Sequence, residues 1–283
     1  MIKTELPPSL RQMGTVFKYE MKKFLEGKRF KLSLTLSIII PTLLYIFFPI
    51  IMNLIFQGNI IFNSIKIYYL SNIPIMSYTI ILFPIIFSAD SLSFEYQKKT
   101  GLLLFVQPVY KRVIFLGKYL SSLILNFFVI LICFIFMFFS GFFFYPYIEV
   151  LNVVPSLMLA LMTGILTSIA YLSIIFLFNS LTNRGIYTVA IMVFLCYVLS
   201  PFFMPVLLPG NKLFIPFFNL PYISMQLMMT IFTDLSTINT EIAFEFTDVF
   251  GGFSYHLMVL TYILYCIIPI IFISFWEEHK KMN

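Results

Sequence analysis

Apolar positions in this chain gather into six long runs, at roughly 32–56, 73–89, 119–141, 153–178, 186–208 and 255–276, with charged positions confined to the intervals. Each run is near the ~20 residues a helix needs to cross a bilayer core of ~30 Å. The pattern predicts an all-α integral membrane protein with six transmembrane helices. The basic residues add an orientation. Of the 18 Lys+Arg, all but Lys66 and Lys212 fall before the first run, between the second and third, between the fourth and fifth, or after the sixth. Cytoplasmic loops carry the excess of Lys and Arg, so both termini are predicted on the cytoplasmic side of the cell membrane.

The polar intervals are not uniform. Residues 1–14 are expected to be a short cytoplasmic tail, because Pro7 and Pro8 break a helix, and 15–283 a single transmembrane domain. From Val16 to Glu26 the period changes: Phe17, Met21, Phe24 and Leu25 share one face, while Lys18, Lys22, Lys23 and Glu26 share the other. A basic amphipathic helix of this kind lies in the headgroup plane. Gly27 can end it, and Lys28, Arg29 and Lys31 anchor the approach to the first span. Two readings stay open: a topogenic anchor, or an elbow that passes movement to the span behind it.

On the other side, an outer loop at about 57–72 holds Tyr68 and Tyr69, and one at about 142–152 holds Phe144, Tyr145 and Tyr147, aromatics suited to an interface. A third, about 209–254, is the longest. Its apolar half, Leu213 to Phe232, is interrupted by Pro216 and Pro221 and reads as re-entrant or interfacial. Its acidic half carries Asp234, Glu241, Glu245 and Asp248, the last three spaced for one helix face. That face reads as solvated, with a cation or substrate site as the other reading. Prolines 41, 49, 84, 201, 205 and 269 lie within or at the ends of spans, where they kink helices and free carbonyls for neighbours.

Composition closes off most other classes. With 60% apolar and 11% charged residues, 283 residues could not keep their apolar surface out of water in one soluble core. The net charge of +6 is juxtamembrane, so it points to anionic headgroups and not to nucleic acid. Cys133, Cys196 and Cys266 fall singly in three spans and read as small buried apolar residues. No cleavable signal peptide is expected, since the first apolar run begins near Leu32 and is long enough to span.

The spans as drawn contain no Asp, Glu, Lys or Arg in their interiors, which argues against proton-coupled carriers, pumps with their own ion site and voltage sensors. His256 and His279 are predicted on opposite sides of the membrane, and no HExxH or GxSxG occurs. Gly27-Lys28 and Gly117-Lys118 lack the surroundings of a phosphate loop. The chain is therefore not expected to be an enzyme or to hold a cofactor or metal, and an ATP site would belong to another polypeptide.

The positive signal is the inner loop between the second and third spans, SADSLSFEYQKKTGLLLFVQPVYKRVIFLGKYLSSL, from Ser88 to Leu123. Asp90 or Ser91 suits an N-cap and Thr100-Gly101 a stop, giving a short helix at about 91–100. Leu102 to Val106 is an apolar step, Pro108 can start a second helix, and Lys111, Arg112 and Lys118 line its approach to the third span. A plain topogenic loop needs the charges but not this order.

At Glu95, Gly101, Leu102–Leu104, Pro108-Val109, Arg112 and Gly117-Lys118 the chain resembles the type-2 ABC-transporter permease family. The likeness extends to the six-span layout, the amphipathic start and the long outer loop before the last span. Bulky Phe105, Gln107 and Tyr110-Lys111 place it among divergent members. The resemblance implies a permease subunit of an exporter, pairing with a second permease chain as a homo- or heterodimer. Each chain would dock on an ABC ATPase subunit through a cytoplasmic coupling helix, here about 91–100. It also implies an ATPase-coupling loop that includes Asp90, Glu95, Gly101, Pro108, Arg112, Gly117 and Lys118. The pathway wall would be apolar, with scattered polar groups such as Asn126, Thr163, Thr167 and Ser168, suiting a hydrophobic or amphipathic substrate; those groups serve equally as interhelical hydrogen bonds. Rival readings are a non-transporting anchor or sensor subunit and an ATP-independent carrier.

Overall fold

The computed structural model describes residues 9–47, 49–51, 65–88, 91, 111–182, 184–200 and 255–279, together with 221, 223–225, 227 and 228. Among these the regular elements are all helical, and no strand occurs. In chain order they are α1 (Ser9–Glu26), α2 (Lys28–Thr42), α3 (Ile65–Ser88), α4 (Lys111–Ser140), α5 (Tyr147–Asn152), α6 (Val154–Thr182), α7 (Gly185–Val193) and α8 (Tyr255–His279). Among the described residues, three helical stretches are long and apolar enough to cross a membrane: Phe30–Ile51, Arg112–Phe143 and Val154–Thr182. They coincide with the first, third and fourth predicted spans. The other three fall on shorter apolar stretches, Met76–Ser88, Gly185–Leu199 and Val259–Ile273.

Helix α6 is the centre of the bundle and packs against α3, α4 and α8. Over its apolar window 56% is buried, against 24% in the first span, so α2 is peripheral. Helices α1 and α2 both lie along α4. The helical residues at 221–228 are drawn into the same core: Met228 touches the site of Gly164 on α6, and Ile223 and Leu227 pack with Ile81, Tyr171 and Tyr262. Tyr262 of α8 is hydrogen-bonded to Thr167 and Ser224, tying that segment to α6.

Two details differ from the sequence expectation. Helix α1 already covers residues 9–14, which the sequence assigns to the tail. Tyr68 and Tyr69 do not lie in an outer loop. They belong to the first turns of α3 and are 1% and 0% exposed. Tyr45 in the π-helical turn after α2, together with Phe144 and Tyr145 beyond α4, surrounds Tyr68, with ring centroids 5.5–5.9 Å away. An aromatic pair before an apolar run looks interfacial from sequence, but neighbours from two other helices cover it.

Gly27 sets the bend between α1 and α2. It is extended, with φ −78° and ψ 151°, so freedom of φ is not what it supplies. A Cβ there would sit 3.1 Å and 3.2 Å from the Lys23 and Phe24 carbonyl oxygens, against the last turn of α1.

Candidate coupling junction

Of the residues proposed for the coupling loop, Asp90, Glu95, Gly101 and Pro108 lie outside the described residues, as does the 91–100 helix apart from Ser91. The remaining three are in α4: Arg112 is exposed in its first turn, and Gly117 and Lys118 follow in its second. Lys118, which the apolar run alone leaves just before the third span, is inside the helix and 1% exposed.

Four elements meet at this level. The carbonyl of Ser88, the last residue of α3, has no donor within its own helix. Asn179 Nδ2 near the end of α6 donates to it at 2.9 Å, and Ser91 adds its backbone N–H at 3.1 Å and its Oγ at 3.0 Å. The carbonyl of Ser91, a buried residue, accepts from Lys118 Nζ at 2.7 Å. The same ammonium lies 3.1 Å from Glu20 Oε1 on α1. The other carboxylate oxygen is 3.6 Å from Lys23 Nζ, which is partly in solvent. An ammonium beyond the C-terminus of α3 also complements the negative end of that helix.

Gly117 explains how α1 comes close enough to place Glu20. A Cβ on it would stand 2.8 Å from Val16 Cγ1 and 3.3 Å from the Met13 carbonyl oxygen. The Gly-Lys pair therefore divides the work: the glycine admits α1, and the lysine joins α1 to the root of the inner loop. Phe24 of α1 meets Phe87 of α3 edge-on at 6.1 Å, so α1 touches both helices that flank the loop.

Energetically the pair is sensitive. The side chains of Glu20 and Lys118 are 3% and 1% exposed. Removing one member of such a buried pair costs about 3–5 kcal/mol, because the other charge is left desolvated and uncompensated. The exposed Lys22–Glu26 pair on the same helix, 3.9 Å apart, is worth at most about 0.5 kcal/mol.

A family model described as "ABC-2 family transporter protein" matches residues 16–200, from α1 past α7, with the whole junction inside the match. The chain belongs to the ABC-2 transporter family. The resemblance read from the inner loop is borne out, and this ABC-2 permease is a membrane protein of a transport system. Members of the family are transport membrane subunits and not enzymes themselves, and the family implies an ABC ATPase partner and a dimer in the membrane. A comparison with curated proteins gives no match.

The pathway candidates of this permease are placed as follows. Thr163, Thr167 and Ser168 donate to the carbonyls of Ala160, Thr163 and Ile165 on their own helix, each at 2.8 Å. Asn126 is buried in α4. Glu20, Ser88 and Asn179 were not singled out from the sequence. For Glu20 a signal exists: on the wheel of α1 it falls between Val16 and Phe24, a carboxylate inside the apolar face.

Proposed function

We propose that this chain is the six-span permease subunit of an ATP-driven exporter in the plasma membrane, with both termini in the cytoplasm. It pairs with a second permease chain, identical or related, and a separate ATPase subunit supplies the nucleotide chemistry. The inner loop docks on that ATPase through the helix at about 91–100, with Glu95 at its middle and Gly101 at its stop. The observation that carries this reading is the fixation of the loop's root. A topogenic loop needs lysines in water; it does not need one buried to 1% and aimed at the Ser91 carbonyl. A docked helix passes movement into the spans only if its attachment does not yield. Nucleotide then shifts the pathway between states through differential contacts at that helix. The hydroxyls of Thr163 and Ser168 are engaged by their own helix, and that of Thr167 by its own helix and by Tyr262, which supports an apolar pathway wall and a hydrophobic or amphipathic substrate.

The test is a pair of loop variants against a distant one. Glu95→Ala removes a charge available to the ATPase surface. Gly101→Val places a β-branched residue where a left-handed stop is expected, at about 1–2 kcal/mol. Both variants are expected at normal membrane levels, with ATP turnover of the complex and export reduced together. Glu241→Ala in the long outer loop is expected to leave turnover intact. Wild-type export in both loop variants, with activity lost in Glu241→Ala, would overturn the coupling assignment. Copurification adds a second arm: a soluble partner without Walker motifs would favour the anchor or sensor reading, and export with no partner the ATP-independent carrier.

A further inference from the structure

We infer that Glu20 of α1 is a positioning residue for coupling: its carboxylate holds the Lys118 ammonium on the Ser91 carbonyl, so the N-terminal helix sets where the inner loop leaves the bundle. The inference rests on the coupling reading above and assigns to α1 a task which that reading does not give it.

Three observations converge. The first is the chain of contacts itself, Glu20 Oε1 to Lys118 Nζ at 3.1 Å and Lys118 Nζ to the Ser91 oxygen at 2.7 Å. A lysine has four rotatable side-chain bonds, and a backbone carbonyl alone is a weak director of an ammonium. A buried carboxylate on the other side fixes both its charge and its direction. The second is that α1 is docked rather than floating on the headgroups. Gly117 admits Val16 at a distance no larger residue would allow, and Phe24 stands on Phe87, next to Ser88. The third is that the root of the loop is held independently from the other side, by Asn179 on the Ser88 carbonyl. With α6 fixing the Ser88 carbonyl, and α1 the Ser91 carbonyl through Lys118, a movement of α1 relative to α6 loads the hydrogen bonds that join Ser91 to Ser88. The exposed face of α1 carries Lys18, Tyr19 and Lys22, so its position also answers to the membrane surface.

A purely structural ion pair would give the same coordinates, and the experiment has to separate the two. Glu20→Gln strands the buried Lys118, Lys118→Met leaves Glu20 with only the partly exposed Lys23, and both are expected to lower the amount of chain in the membrane. The double variant Glu20→Gln/Lys118→Met strands none, so its membrane level is expected to return to that of the wild type. Two readouts are then taken on the double variant. Hydrogen exchange of the Ser91 amide, in the purified chain in lipid nanodiscs, needs no ATPase and is expected to quicken on the order of tenfold, as for loss of a charge-assisted hydrogen bond. ATP turnover of the chain purified with its own ATPase partner is expected to fall by a similar factor. Lys22→Met, which breaks the exposed pair on the same helix, is expected to change neither. Wild-type exchange and turnover in the double variant would reduce the pair to a structural contact and overturn the inference. So would faster exchange with unchanged turnover, which would mean that the root is loosened without consequence for coupling. Glu95→Ala separates the two levels: if it uncouples while the double variant does not, only the role of Glu20 fails, and if neither uncouples, the coupling reading itself fails.

Discussion

Gly14 and Gly117 pose the same question at residue scale with opposite answers. Both are inside helices, where replacing Gly by Ala gains about 1 kcal/mol from backbone entropy. Around Gly14 a Cβ meets nothing within 4 Å, so Gly14→Ala is expected to raise the thermal midpoint of the purified chain. At Gly117 the new methyl would press on Val16 at 2.8 Å, and Val16 is β-branched with little rotamer freedom to retreat. Overpacking of that kind costs about 1–3 kcal/mol, which exceeds the helical gain, so Gly117→Ala is expected to lower the midpoint. A rise in both would show that α1 is not docked through Gly117. The Gly-Lys pair was visible in the sequence as a motif, but the division of labour within it was not. For Glu20 the wheel shows only a carboxylate on the apolar face, which marks it as needing a partner without naming one. Its decisive partner, Lys118, is far along the chain, and helix periodicity carries no information about it.

At the scale of elements, the joint between α2 and α3 shows how span prolines and buried tyrosines belong together. Pro41 lies inside α2, the backbone is π-helical from Leu43 to Phe47, and Pro49 follows. In a regular helix the Tyr45 carbonyl would take its hydrogen from residue 49, where proline has none. Tyr68 of α3 supplies the missing donor: its hydroxyl donates to that carbonyl and lies 3.1 Å from Ser140 Oγ. In an apolar surround this replacement is worth about 1 kcal/mol. Tyr68→Phe is therefore expected to lower the midpoint measurably. Tyr69, whose hydroxyl donates to the Phe138 carbonyl at 3.2 Å, is expected to tolerate the same change better. The sharper check is Tyr68→Phe on a Pro49→Ala background. Restoring an N–H at 49 gives the Tyr45 carbonyl a local donor, so the cost of losing the Tyr68 hydroxyl should shrink, and an undiminished cost would break the link. The prolines were legible as sources of freed carbonyls. That Tyr68 answers one of them was not, because an aromatic pair before an apolar run carries an interfacial pattern and the contact joins two helices. Apolar length, by contrast, identified the Phe30–Ile51, Arg112–Phe143 and Val154–Thr182 helices directly, since length and hydropathy are local properties.

Over the whole molecule, two opposite ends can be told apart by their chemistry. One gathers the end of α3, the start of α4, the end of α6 and helix α1 around Lys118, with Ile273 of α8 packed on Phe115 and Phe176 close by. The other gathers Tyr45, Tyr68, Tyr69, Ser140 and Tyr145. The sequence adds Arg112, Arg184, Lys280 and Lys281 at the first end, whereas the intervals at the second contain only Lys66 and Lys212. Positive loops stay in the cytoplasm, so the first end is expected inside. Single cysteines in a background lacking Cys133, Cys196 and Cys266 test this. Positions 66 and 240 should react with an impermeant reagent in intact cells, and 98 and 281 only after permeabilisation. Reaction at 98 in intact cells would reverse the orientation and leave the inner loop unable to meet an ATPase. Reaction at 281 with protection at 98 would make the number of crossings between them odd. The two shorter apolar stretches between them, at 185–199 and 259–273, would then no longer each account for one crossing. The long outer segment, helical and buried at 221, 223–225, 227 and 228, would become the place to look for the span that breaks the count.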